Sequence, residues 1–267
     1  LYAMAYTFAD RTNYSRTFLG GNMFADFISR RYGLEPTTEN EYWPGLMDSQ
    51  FAQDQLQKLF TCHRIGYRKS LLQLYSTQAR KPLIPQQQRS IDVHSRFNPY
   101  SGWCRVHRFH VRDLLQQVSN RFNITASKEK VPYTQYCAEV NNAKIVVSPF
   151  GWGEFCPKDW EAFIMGALLI KPSVEHLNHF PRLFVPYETY VPVKWDLSDL
   201  RETIVYYLEH EVERTRIVAN ATATVKRFYE GNDFVDLVRE ILQRLGLQAR
   251  GPAAAAAEHV SNERALR

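Results

Sequence analysis

Residues 144–172, KIVVSPFGWGEFCPKDWEAFIMGALLIKP, read as a strand, a loop, a helix and a second strand in succession, and this unit decides the fold. Ile145, Val146 and Val147 form a β-branched run of the kind found in a parallel strand buried on both faces. Pro149, Gly151 and Gly153 end it, and the glycines let the backbone turn sharply or approach a ligand with no Cβ in the way. Pro157 suits the first turn of a helix, where Trp160, Phe163, Ile164, Ala167 and Leu168 recur at helical spacing along one apolar face. Gly166 either ends that helix or lets it pack closely; Leu168 to Ile170 supply the next strand, and Pro172 closes the unit.

The free N–H groups and positive dipole end of such a helix face the space beyond the strand's carboxyl end, so an anion is the expected ligand. Lys158 adds charge there, and Glu161, one turn into the helix, is placed to accept the hydroxyl protons of a ribose. The plainer alternative stays open: Glu161 as a first-turn acid favouring the dipole, and the glycines as a simple turn.

SPFGWGE, a basic residue, then WEAF, Gly166 and LLIKP resemble the donor-binding motif of GT-B glycosyltransferases, most closely the bacterial group-one type, with a looser likeness to exostosin-type transferases. The resemblance continues through HLNHFPRLFVPYETYVPVKWDLSDL and covers about residues 90 to 246. It implies a nucleotide-sugar donor, a hydroxyl acceptor such as a glycan, a place in polysaccharide biosynthesis, and no cofactor beyond the nucleotide sugar. It makes Glu161 the ribose contact and puts Gly151, Trp152, Gly153 and Glu154 in the donor loop, with Glu188, Thr189 and Tyr190 in a second loop near the donor. Glu154 stands where the earlier acid of the retaining members' pair would fall, but one residue closer to Glu161 than in the usual pair.

Working outward, Ile91 to Phe97 alternates like a strand and Arg105 to Val118 reads as a helix; Phe122 to Thr125 and Tyr133 to Asn142 repeat the pattern. Alternation from Ile91 to Val193 predicts an α/β, Rossmann-like, doubly wound parallel sheet with its ligand at the strand carboxyl ends. Arg96, Arg105 and Arg108 would then share a rim with the Gly151 loop, either as partners for a diphosphate or as an ordinary solvated basic face. A short helix is expected over 174–180, a strand over 183–185, an edge segment over 189–193, and a helix capped by Asp196, with Asp199 at its third position. Two more helices follow, with apolar faces at Ile217, Val218, Ala221, Val225 and Phe228, and at Phe234, Leu237, Val238, Ile241 and Leu245.

Residues 1–80 read as a mainly helical segment, a reduced or partial acceptor half opened by a strand over 1–8. It holds one helix starting near Met23 and ending at Gly33, a loop over 35–48, and two helices joined at Gly66, the first over Phe51 to His63. KPLIPQQQ, within 81–89, is the expected linker to a donor-binding domain at 90–246, and 247–267 a disordered tail. No catalytic base is assigned; His63 and Asp48 are the candidates from the N-terminal segment. That segment is short for an acceptor half, which leaves a second expectation, a donor-binding module or half-enzyme that needs a partner chain.

The chain has 267 residues, 45% hydrophobic and 23% charged, enough to bury a sizeable core. A net charge of +5 favours anionic ligands and peripheral contact with an acidic membrane, but basic residues do not run together with aromatics, which argues against nucleic acid. No apolar run is long enough to span a bilayer, and LYAMAYTF reads as no signal peptide. Four scattered cysteines fit neither a zinc site nor a disulfide framework and suggest a reducing, cytoplasmic compartment. Asp-x-Asp is absent from the sequence, so no metal site is expected at the diphosphate.

Overall fold

The computed structural model describes residues 2–19, 22–34, 52–62, 66, 68–98, 104–127, 129–151 and 153–247. At its centre five short, largely β-branched strands pair in parallel: β4 (Ile91–His94), β5 (Ile124–Thr125), β6 (Ala143–Val147), β7 (Leu168–Pro172) and β9 (Val191–Val193), in spatial order β5-β4-β6-β7-β9. Register pairs Val93 with Ile145 between β4 and β6, and Ile145, Val146 and Val147 with Leu168, Leu169 and Ile170 between β6 and β7.

Strand side chains alternate between faces, and two cores result. Val146 and Leu169 face one core with Phe24 and Ile28 of α1 (Met23–Tyr32), Leu71 of α2 (Lys69–Gln78), Val140 of α4 (Tyr133–Asn141), and Trp160 and Phe163 of α5 (Pro157–Ile164). Ile145, Val147, Leu168 and Ile170 face the other, with Val111 and Leu115 of α3 (Cys104–Val118) and Leu200 and Ile204 of α6 (Leu200–Glu209). The long α7 (Glu211–Glu230) serves both, through Ile217 and Val218 on one side and Ala221, Val225 and Phe228 on the other. Finally, α8 (Asp233–Arg244) buries Leu237. The alternating α/β architecture is therefore the expected one, with helices on both faces of a parallel sheet.

Among the described residues of the N-terminal segment, the helices α1 and α2 are accompanied by three short strands, β1 (Tyr2–Met4), β2 (Tyr6–Phe8) and β3 (Leu59–Thr61). Pairing of β1 with β3 corrects the helix expected over 51–63, which is a 3₁₀ turn at Gln53–Lys58 followed by the strand. Similarly, 174–180 is not a helix: Leu177–His179 forms β8, antiparallel to β2. Both errors have one cause, a strand partner far away in sequence. Residues 183–185 form no strand because Thr189 satisfies their backbone, its hydroxyl accepting from Val185 N (2.8 Å) and donating to Leu183 O (2.5 Å). At α6 the cap position belongs to Asp199, while Asp196 accepts from Ser198 N (3.0 Å) in a turn before it. The loop expected over 35–48, and the tail expected over 247–267 apart from Leu247, lie outside the described residues.

Around 81–89 the chain is packed. Buried Gln86 donates to Gly166 O (2.7 Å), and buried Arg89 donates to Ala143 O and Met165 O (2.8 Å each), clamping the starts of β6 and β7. Gly166 ends the α5 turn at φ +69°, where a Cβ would also press on Leu83 at 3.0 Å.

Candidate functional site

In sequence order the sheet strands stand as 2-1-3-4-5, so the winding direction reverses between β4 and β6. The crevice at such a switch point, beyond the strand carboxyl ends, is where doubly wound sheets bind ligands. Here Ser95 closes the two strand ends together, its buried hydroxyl donating to Val147 O (2.9 Å). The loop that follows β6 is gripped from the first turns of α3. Cys104 Sγ donates to Gly151 O (2.9 Å), and one turn on, Arg108 donates through Nε to Phe150 O (3.2 Å) and through Nη1 to Asn98 O (2.5 Å). Gly151 is required by this approach, since a Cβ there would lie 2.7 Å from Arg108 Nη2. Gly153 faces no such limit, its nearest neighbour being the Tyr6 hydroxyl at 3.7 Å. Trp152 lies outside the described residues, as do His63 and Asp48.

The predicted cations separate in the structure. Lys158, on the first turn of α5, reaches back over the crevice to donate to Arg96 O and lies 5.5 Å from the Phe97 ring; burial lowers its pKa. Arg96 faces Glu139, with Nε to Oε2 at 2.5 Å and Nη2 to Oε1 at 2.9 Å, and holds that carboxyl below its usual range. His94 Nε2 sits 3.2 Å from the same carboxylate. Arg105 is exposed, stacked over Phe109 at 5.4 Å, on a different side of α3 from Cys104 and Arg108. The three arginines therefore do not form one rim: Arg108 meets the loop, Arg96 is neutralised by Glu139, and Arg105 turns outward.

Both predicted acids are buried. Glu161 accepts from the Tyr133 hydroxyl at Oε1 (3.0 Å) and the Tyr136 hydroxyl at Oε2 (2.7 Å), and burial pushes its pKa up. The two tyrosines stack at 6.0 Å on the first turn of α4, with Tyr133 about half exposed (48%). Glu154 Oε1 accepts from Asn22 Nδ2 (3.3 Å) and lies 3.7 Å from His176 Nε2. Burial and the Glu154 carboxylate also raise the pKa of Tyr6. In the second loop Glu188 is exposed, and Thr189 and Tyr190 are buried.

Sequence reasoning missed the buried ion pair beneath the loop, Lys171 Nζ to Asp159 Oδ2 at 2.5 Å, with side chains 1% and 0% exposed. Asp159 also accepts from the Ser148 hydroxyl (2.6 Å) and from Cys156 N (3.1 Å), the capping position that Pro157 at the helix start announces. The signal for Lys171 was a single charge in the otherwise apolar LLIKP. It also missed Tyr133, Tyr136, His176, Tyr6 and Asn22, whose neighbours lie far along the chain. Among the described residues no three His, Cys, Asp or Glu side chains group in a way that could hold a metal ion, and no helix is long and apolar enough to cross a membrane.

A family model described as glycosyl transferase-like matches residues 105–243, just over half of the chain. Among solved structures the chain is similar to the C-terminal domain of a group 1 family glycosyl transferase, LpcC, from Francisella tularensis, at 13% identity and a TM-score of 0.39, covering 59% of this chain and 97% of that one. It is also similar to Alr3699/HepE from Anabaena, solved in complex with UDP-glucose, at 16% identity and a TM-score of 0.41, covering 71% of this chain and 58% of that one. No curated protein matches.

Proposed function

The chain belongs to the glycosyl transferase-like family, and from that membership and the geometry of the β4–β6 crevice we propose that it transfers a sugar from a nucleotide-sugar donor to a hydroxyl of a glycan or similar acceptor. The observation that carries the reading is the Arg108 guanidinium lodged against Gly151 at the switch point, where it donates to the carbonyl oxygens of Phe150 and Asn98. A diphosphate in the crevice would face Arg108, Lys158 and the start of α5, and these fixed positive groups would stabilise the charge that grows on the leaving diphosphate. Arg96 and Arg105 drop out of that set. Glu161 would take the ribose hydroxyls in place of, or shared with, those of Tyr133 and Tyr136. Residues 90–246 form the donor-binding unit in this reading, and donor binding needs no divalent metal. We place the reaction on the cytoplasmic side, with the basic balance favouring contact with an acidic surface.

A second reading, a donor-binding half that needs a partner chain for turnover, is favoured by the packing of the N-terminal segment. Phe24 of α1 sits edge-on to Phe150 (4.7 Å), His107 (4.9 Å) and Trp195 (5.6 Å), directly on the loop, and Asn22 reaches Glu154. One experiment separates the two. Release of nucleoside diphosphate from UDP- and GDP-sugars is followed with and without a panel of oligosaccharide acceptors, alongside donor binding. Turnover by the isolated chain supports the transferase; binding with no turnover supports the half-enzyme; absence of both rejects each.

A further inference from the structure

We propose that the buried Asp159–Lys171 pair is the positioning element of the donor loop, and that donor affinity depends on it although neither side chain reaches the crevice. This rests on the donor-binding reading above. Lys171 rises from β7 with its side chain 1% exposed, and its ammonium donates to Glu154 O (2.5 Å) and Asp159 Oδ2 (2.5 Å). Three phenyl rings surround it, Phe184 at 4.9 Å, Phe155 at 5.2 Å and Phe150 at 5.5 Å, so its charge is also met by ring faces. Asp159 carries the contact onward to the Ser148 hydroxyl and to Cys156 N.

Most of these arms end on one stretch of chain. Ser148 opens the loop, Phe150 and Phe155 lend their rings, Glu154 lends a carbonyl and Cys156 an N–H. The pair therefore ties the loop down to β7 and α5 at both ends, and the part left between, around Gly151, is the part that meets Arg108 and Cys104 from the other side. A buried ion pair is a poor source of stability compared with apolar side chains of the same volume, because desolvation offsets most of the attraction. What an apolar pair could not do is hold a loop carbonyl, a loop N–H and a serine hydroxyl at once. That need accounts for a lysine inside a fully buried strand whose Leu168, Leu169 and Ile170 pack into the apolar cores on both faces.

The test uses Lys171→Met, Asp159→Asn and the double variant. Three quantities are read: the urea midpoint, amide exchange across the chain, and the dissociation constant for whichever of UDP or GDP the wild type binds. In the double variant the buried charges are gone together, so the urea midpoint recovers toward wild type relative to Lys171→Met. Exchange of the amides over 150–156 stays at least about 10-fold faster than wild type, with β4 and α7 unchanged, and nucleotide binding stays at least about 10-fold weaker. A double variant whose loop exchange and nucleotide affinity return with its stability overturns the proposal, as does exchange that quickens equally everywhere. Should Lys171→Met fail to fold, Ser148→Ala keeps the pair and removes one arm; it should loosen the same amides and weaken the nucleotide several-fold, and no change in either overturns the proposal. If the wild type binds neither nucleotide, the donor-binding reading fails, and loop exchange alone still decides whether the pair positions the loop.

Discussion

Gly151→Ala should weaken nucleoside diphosphate binding by displacing Arg108, with little effect on the fold. The added Cβ would stand 2.7 Å from Arg108 Nη2, where about 3.5 Å is the comfortable separation, so the guanidinium must retreat by roughly 0.8 Å. Its Nε bond to Phe150 O is already 3.2 Å long, and a shift of that size takes it past the range of a hydrogen bond. Stability should fall by less than about 1 kcal/mol, because the obstructing atom is the far end of a long, flexible side chain rather than backbone. The ligand should feel more. A charge-assisted hydrogen bond to phosphate lost or lengthened is worth about 1.5 to 3 kcal/mol, which is roughly a 10- to 150-fold rise in dissociation constant. Isothermal titration with UDP, GDP and the parent nucleosides, in EDTA, reads this directly, and the nucleosides should bind the variant as they bind the wild type. The same substitution in an Arg108→Ala background should add almost nothing, since the group it displaces is gone. A full additional loss in that background, or unchanged UDP and GDP affinity in the single variant, would refute the argument.

Other substitutions probe other parts of the account. Glu161→Gln should keep the fold but weaken nucleotide-sugar binding, since the amide puts an NH2 donor where one of the two carboxylate oxygens accepts from Tyr133 or Tyr136; wild-type affinity in a titration would reject the ribose role. Stability should fall as pH drops from about 6.5 toward 4. Burial, reinforced by the charge of Lys158, holds His94 down to about 4, so the unfolded chain takes up the proton first, and the full effect is about 3 kcal/mol. His107 acts in the same direction, held down to about 3 by burial. Urea midpoints across that range should slope less steeply in His94→Gln, and an unaltered slope would exclude His94 as a source. Gly66→Ala should destabilise by about 1 to 3 kcal/mol, because its Cβ would stand 2.6 Å from Trp160 Cη2 and 2.9 Å from Phe228 Cε1, two rings fixed in the core; an unchanged melting temperature would show that these groups do not meet.

The unit from β6 to β7 was legible because every signal in it is local: a β-branched run, a proline at the helix start, an apolar helical face and a glycine that ends it. The terminal helices α6, α7 and α8 were legible for the same reason, as was the order of alternation that makes the sheet parallel. What was hidden depends on partners distant in sequence. Leu177–His179 becomes a strand only because Tyr6–Phe8 lies beside it, and Leu59–Thr61 only because Tyr2–Met4 does. Among the site residues, charge type could be read but not charge partner, so Arg96 looked available until Glu139 closed on it. For α3 a finer reading was open: Cys104 and Arg108 are four apart and share a face, whereas Arg105 is turned about 100° away from it. Lys171 stood out in LLIKP as the one charge in an apolar strand, yet only the folded chain shows that it serves the loop before it.

Binding of nucleotide sugars by metal-stripped protein tests the central claim most directly. A panel of UDP- and GDP-sugars is titrated into the wild-type chain and into Arg108→Ala, each in EDTA and then with magnesium or manganese restored. The account predicts that at least one nucleotide sugar binds the wild type in EDTA, that added metal leaves its affinity unchanged, and that Arg108→Ala binds it at least about 10-fold more weakly. No binding across the panel, strict dependence on the added metal, or equal affinity in Arg108→Ala would contradict it.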